Sequence, residues 1–310
     1  MLNPLKPTNW QSYLWVAARW QKFTHGGPAM ANVPVLGDFT MPGMVLQEKY
    51  FDTQWIPINK RLEDSESTVI PLNLLKELIG RTAHRVILHQ CPCRQGYGCT
   101  DYPKDIGCIY LGDATKDLDP SFGRHASVKE ALEHTDKAVK FGLVPIVGQI
   151  DFDALLLGCT PADHFCTVCF CDPCCCVNFR FSTAYHPRYR EKLMHRLEGL
   201  SVTVTDSCAG CGECEDKCFV GAISMKNDRA VIDQKYCKGC GVCVENCPVD
   251  AISIEVTDGN GMKKTFFERI ESRVDLYSSI PGKEVNTKAR GQIPHPRHGF
   301  NIPKYKHSRE

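Results

Sequence analysis

Charge of one sign is almost absent as an excess: 37 Lys and Arg stand against 36 Asp and Glu, a formal net charge of +1. A nucleic-acid binder normally carries a strong basic surplus, so that class is not expected. No run approaches the roughly 18 apolar residues that a membrane-spanning helix needs. Met1 to Asn32 also lacks the basic stretch followed by a pure apolar run that marks a secretory signal. There is no P-loop and no glycine-rich dinucleotide fingerprint after a strand, and neither Gly-x-Ser-x-Gly nor His-Glu-x-x-His occurs. Hydrolase and nicotinamide chemistry therefore have no support. A flavin stays open, because its sites often leave no short motif.

What is present in excess is cysteine, 19 in 310 residues. A secreted disulfide scaffold is usually short, and an odd cysteine total fits poorly with full pairing. Many of these cysteines stand one to three residues apart, a spacing that suits metal ligation. A reducing, cytoplasmic location is the expectation.

The chain divides into four pieces. Residues 1–60 form an N-terminal extension rich in aromatics, Pro and Gly, with a helix expected near Trp10 to Lys22. Its Trp10, Tyr13, Leu14 and Trp20 read better as a packed or subunit-contact face than as a membrane-surface one. Residues 61–200 are a cysteine-rich domain. There, Pro71 to Ile79 reads as a helix with Leu72, Leu75, Leu78 and Ile79 on one face, and Arg85 to His89 as a strand delivering Cys91. Val128 to Phe141 reads as a helix, with a capping box of Ser127 and Glu130 and Gly142 as its C′ residue. Its Ala131, Leu132, Thr135, Ala138 and Val139 make a buried stripe. Leu143 to Ile150 reads as a strand, so strand, helix and strand suggest an α/β unit whose loops carry the cysteines. Residues 201–256 form a third unit. Residues 257–310 hold a helix around Thr265 to Leu276 and then a tail. From Gly282 onward that tail has seven Lys or Arg against two Glu, with six Pro or Gly breakers. It reads as a solvated arm, or else as a docking arm for an acidic partner.

The third unit contains an internal duplication. Cys208, Cys211, Cys214 and Cys218 recur 29 residues later as Cys237, Cys240, Cys243 and Cys247, and Ala222-Ile223-Ser224 recurs as Ala251-Ile252-Ser253. Both halves spell C-x2-C-x2-C-x3-C. A [4Fe–4S] cube offers four irons, each taking one thiolate. Three closely spaced cysteines wrap three corners, while the fourth cysteine of each run reaches the opposite cluster. The assignment is Cys208, Cys211, Cys214 and Cys247 for one cluster, and Cys237, Cys240, Cys243 and Cys218 for the second. Gly210, Gly212, Gly239 and Gly241 let backbone amides approach the sulfurs.

Residues 206–255 closely resemble the bacterial two-cluster ferredoxins, which fold as two pseudo-symmetric hairpin-and-helix halves. The resemblance implies two [4Fe–4S] clusters and low-potential electron transfer. One departure is visible: Pro248 follows Cys247 as that family expects, but Phe219 follows Cys218.

Eleven cysteines lie upstream. Cys91, Cys93, Cys99 and Cys108 form a C-x-C-x5-C-x8-C set broken by Pro92, Gly96, Gly98, Pro103 and Gly107, as a loop wrapping a metal centre requires. Structural zinc and redox-active thiols are the alternatives. Cys159, Cys166, Cys169, Cys171, Cys174, Cys175 and Cys176 form a second set, more than one cube can use. Three readings stay open for it: a cube with spare thiols, a larger or non-cubane cluster using paired cysteines, or a cube beside a redox-active dithiol. Adjacent cysteines also occur in heterodisulfide reductases, but the spacing differs and no residue is carried over. Overall, the region is similar to ferredoxin-fused iron–sulfur proteins of strict anaerobes with CxCR and triple-cysteine motifs. Arg94, His89, Asp101, Asp151, Asp153 and His164 are candidates for proton donation or anion binding, and read more simply as surface or supporting residues.

The whole reads as an α+β protein: a cysteine-rich α/β N-terminal domain binding one or two further iron–sulfur clusters, a ferredoxin-like 2[4Fe–4S] domain and an irregular basic tail. The expected function is an electron relay or redox-complex subunit serving a redox partner protein, with homo-oligomerisation open. An oxidoreductase reducing a disulfide or other sulfur compound at the triple cysteine is the second reading. A redox sensor or cluster scaffold is the third.

Overall fold

A computed structural model describes residues 51–58, 71–179, 191 and 194–277. The helix expected near Trp10 and the basic tail lie outside these residues. The framework is a seven-stranded sheet made of β1 (Phe51–Trp55), β2 (Arg85–Leu88), β3 (Ile109–Leu111), β4 (Gly123–His125), β5 (Val144–Ile150), β6 (Cys166–Cys171) and β7 (Met194–Arg196), in the order β4-β2-β3-β6-β5-β1-β7. All pairings are antiparallel except β1 with β7.

The mixed α/β expectation holds in outline, and the strand connections are now specified. The two strands flanking the central helix, β2 and β5, are separated by β3 and β6 and run in opposite directions, so they do not form a parallel βαβ unit. The strand carrying Cys166, Cys169 and Cys171 supplies the missing link, because it inserts beside β5 where an irregular loop was expected. β5 is buried along its whole length, as its apolar run VPIVGQI requires of a central strand covered on both faces.

Helices pack on both faces, Pro71–Arg81 and Val128–Lys140 on one and Asp151–Leu157 on the other. α1 (Pro71–Arg81) starts on a proline and buries Leu72, Leu74, Leu75, Leu78 and Ile79. α2 (Pro92–Tyr97) is short and ends at Gly98 in the left-handed region. α3 (Val128–Lys140) is held at its start by both halves of the Ser127/Glu130 capping box and turns off at Gly142, φ +75°. Glu130 is held down at about 2 by its bonds from the Ser127 amide and hydroxyl and from Arg124. α4 (Asp151–Leu157) follows β5 directly.

The third unit comprises β8 (Leu200–Val204), α5 (Glu213–Lys217), β9 (Ile223–Lys226), β10 (Arg229–Ile232), α6 (Val242–Glu245) and β11 (Ile252–Val256). Its first and last strands pair antiparallel, β8 with β11, and β9 pairs with β10. The final helix, α7 (Gly259–Glu271), starts six residues before the expected Thr265, because Asp258 caps it by accepting from the Gly261 amide. It ends before Leu276, which is buried beyond the helix.

α7 returns to the sheet. Arg269 makes a bidentate pair with buried Asp52 of β1, at 2.8 and 2.6 Å, and Arg273 adds a contact at 3.1 Å. Gln54 donates to the Phe266 carbonyl at 3.2 Å. No described helix is long and apolar enough to cross a membrane.

Candidate metal centres

The C-terminal unit repeats its local geometry as faithfully as its sequence. The Ala222 amide donates to Cys218 Sγ at 3.3 Å, and 29 residues later the Ala251 amide donates to Cys247 Sγ at 3.2 Å. Cys218 lines one cavity together with Cys237, Cys240 and Cys243 of the other half. Cys214 lies instead within electrostatic reach of Cys208 and Cys211. Exposure varies within the groups: Cys211 is open to solvent and Cys214 is buried, while in the Cys218 group loss of water pushes partly buried Cys240 well above the ordinary thiol range and Cys243 up to about 12.

The Cys218 group faces the sheet. The Ile58 amide, just past β1, donates to the Cys240 carbonyl at 2.9 Å. Gly241 follows with φ +85°, and a Cβ there would lie 1.9 Å from the Ile58 carbonyl oxygen, so only glycine fits this approach. Phe219, the departure from the ferredoxin pattern, has its reason here. Its ring stacks on Trp55 of β1 at 4.8 Å between centroids and meets Phe179 at 3.8 Å. All three rings are buried. Burial of this kind contributes about 2–3 kcal/mol per ring.

The eleven upstream cysteines do not sort by the two sequence sets; the structure draws members from both. Cys169 and Cys171 point to one face of β6, as strand alternation dictates. Cys108, immediately before β3, meets Cys169 with sulfurs 3.6 Å apart. Cys91 and Cys93 sit at the start of α2 and interact with each other. Cys93 also interacts with Cys176, Cys176 with Cys171, and Cys171 with Cys169. Cys108 lies within electrostatic reach of Cys91, which closes a basin of six thiols.

Such a basin resists ionisation. A neighbouring thiol first, and burial second, drive Cys91, Cys93 and Cys108 well above the ordinary range, and burial does the same to Cys171. Cys176 is the exception: burial opposes its ionisation, but bonds from Cys171 and Cys93 hold it down at about 6. Metal binds thiolates, not thiols. A mostly buried set of six thiols, five of them held protonated, is a donor set that a cationic metal centre would draw into the thiolate form, and the residues fit such a group.

Cys99, Cys174 and Cys175 form a separate knot. Cys99 Sγ lies 3.5 Å from Cys174 Sγ, which is 3.1 Å from Cys175 Sγ. Asp172 lies among them and accepts from the Cys174 amide at 3.1 Å. Asp172 was not a sequence candidate; its place inside the cysteine run, between Cys171 and Cys174, is the only signal that pointed to it.

Two further cysteines complete the eleven, and one of them, Cys159, shares an apolar cluster with Cys108. Cys166 points to the opposite face of β6, where its thiol donates to the Gly148 carbonyl at 3.4 Å and burial pushes it up to about 12. Cys159 packs in an apolar cluster with Phe165 and Leu157.

The polar candidates scatter. Arg94 is fully buried between the basin and the knot, its guanidinium spent on the carbonyls of Pro103 (2.8 Å), Phe170 (2.8 Å) and Ile106 and on Asp172 at 3.2 Å. His89 is exposed and bonded to the Pro120 carbonyl. Asp101 accepts from Thr100, Asp151 from Gln149, and His164 lies 4.0 Å from Asp163. Asp153 also flanks the basin, near Cys108 and Cys169; burial raises it to about 7 against a bond from Thr167.

Residues 207–265 match the family model of the 4Fe-4S dicluster domain, so this stretch is a ferredoxin-type domain. No curated protein and no solved structure matches the chain.

Proposed function

We infer that the protein is an iron–sulfur electron-transfer protein or redox-complex subunit. Low-potential electrons would pass between two [4Fe–4S] clusters of the ferredoxin-type domain and a further cluster held by Cys91, Cys93, Cys108, Cys169, Cys171 and Cys176. Cys208, Cys211, Cys214 and Cys247 would hold the outer cluster, and Cys218, Cys237, Cys240 and Cys243 the inner one.

One observation carries this reading. A single apolar cluster contains Cys171 and Cys176 of the basin, the rings of Trp55, Phe179 and Phe219, and the partly buried Cys218, Cys237 and Cys240. Phe219 is covalently next to Cys218, and Phe179 is three residues from Cys176. Dense packing between the two thiol sets excludes water, and a dry contact of this kind favours electron transfer over solvent exchange. The exposed Cys211 supports an outer cluster that a redox partner protein could reach. None of the nineteen cysteines forms a disulfide, which supports a reducing, cytoplasmic setting.

Low-temperature EPR during anaerobic reductive titration tests the relay. The expected result is a third paramagnetic centre whose reduction broadens the inner-cluster signal through spin–spin coupling. Spectra of two ferredoxin clusters alone, unaltered by further reduction, would sink it.

A further inference from the structure

We propose that Cys99, Cys174, Cys175 and Asp172 form a mononuclear site for one thiophilic divalent ion, zinc or ferrous iron, separate from every cluster. The proposal does not rest on the electron-transfer reading.

Donor number, kind and spacing together favour a single ion. Three thiols and one carboxylate converge within 4.8 Å of one another, with sulfur separations of 3.5 and 3.1 Å. A tetrahedral ion with metal–sulfur bonds of about 2.3 Å holds its thiolates about 3.8 Å apart. Close sulfurs alone do not separate the two centres, because Cys108 and Cys169 of the basin also stand 3.6 Å apart. The knot differs in offering four donors, one of them a carboxylate, which is the complement of one tetrahedral ion.

The chain builds this site from two distant loops. Gly98, φ +68°, ends α2 and releases Cys99 from the helix. After β6, Asp172 accepts from the Cys174 and Cys175 amides, folding the turn so that both thiols gather beside its carboxylate. Arg94 fixes that carboxylate from behind, as outer-shell partners of metal ligands do. Its buried positive charge also offsets part of the surplus negative charge of three thiolates and one carboxylate around a divalent ion. Cys174 keeps partial exposure, which leaves an entry path. Binding displaces the three thiol protons to solvent and forms three metal–sulfur bonds, with no change of oxidation state. The ion would tie α2 to the turn after β6, just outside the six-thiol basin.

The test uses the full chain, prepared anaerobically. Zinc, iron and acid-labile sulfide are counted in the wild type and in a C99S/C174S double variant. The expected result is one metal per chain in excess of sulfide in the wild type, lost in the variant while cluster iron and sulfide stay unchanged. Loss of iron together with equal sulfide would instead make the knot a cluster site and overturn the proposal. If the variant fails to fold, cobalt(II) supplied to the wild type gives a second reading. Intense tetrahedral d–d bands with thiolate charge transfer at one cobalt per chain are expected, and their absence overturns it.

Discussion

The two thiol-rich regions achieve similar ends by opposite means. In the ferredoxin-type domain, each run of cysteines gathers within eleven residues, and the long-range step seen is Cys218 lining a cavity with Cys237, Cys240 and Cys243 of the other half. In the basin, Cys93 and Cys176 are 83 residues apart yet interact, because β3 lies beside β6 and Arg94 of α2 bonds to the Phe170 carbonyl of β6. The first region is a local motif that needs little support. The second is a tertiary site whose ligands are only as well placed as the strands beneath them. A motif survives transplantation; a basin depends on its whole frame.

That contrast is broken most directly by C171S/C176S. It should strip the basin of its iron and leave about eight irons, those of two cubes, as read by metal analysis. If iron falls below that level, the two regions are not independent. A smaller effect is expected from F219A, which empties the ring position joining the regions. A stability loss of about 3–5 kcal/mol should appear in anaerobic denaturant unfolding, with the inner-cluster EPR signal losing its coupling to the basin. Smallest is C166A, predicted to cost about 1 kcal/mol and no metal, since Cys166 faces away from the basin. Iron loss in C166A would show that the face of β6 does not sort ligands.

Legibility followed the same divide. The 29-residue repeat and α3 with its capping box were readable because both depend on residues close in sequence. The cysteines of β6 were not. Cys166, Cys169 and Cys171 look like one dense set, yet a strand's alternation sends the first to the opposite face. The grouping of Cys108 with Cys169 rests on strand register, which no spacing records. Asp172 was hidden for a different reason: an acid among cysteines has no motif until Cys99 arrives from another loop. Phe219 was visible as an oddity, and its purpose became clear only with Trp55 and Phe179 against it.

The central claim is that the upstream cysteines hold a cluster of their own. Counting iron and acid-labile sulfide per chain in anaerobically prepared protein tests it. The account predicts clearly more than eight of each, whereas about eight of each would contradict it by leaving only the two cubes of the ferredoxin-type domain.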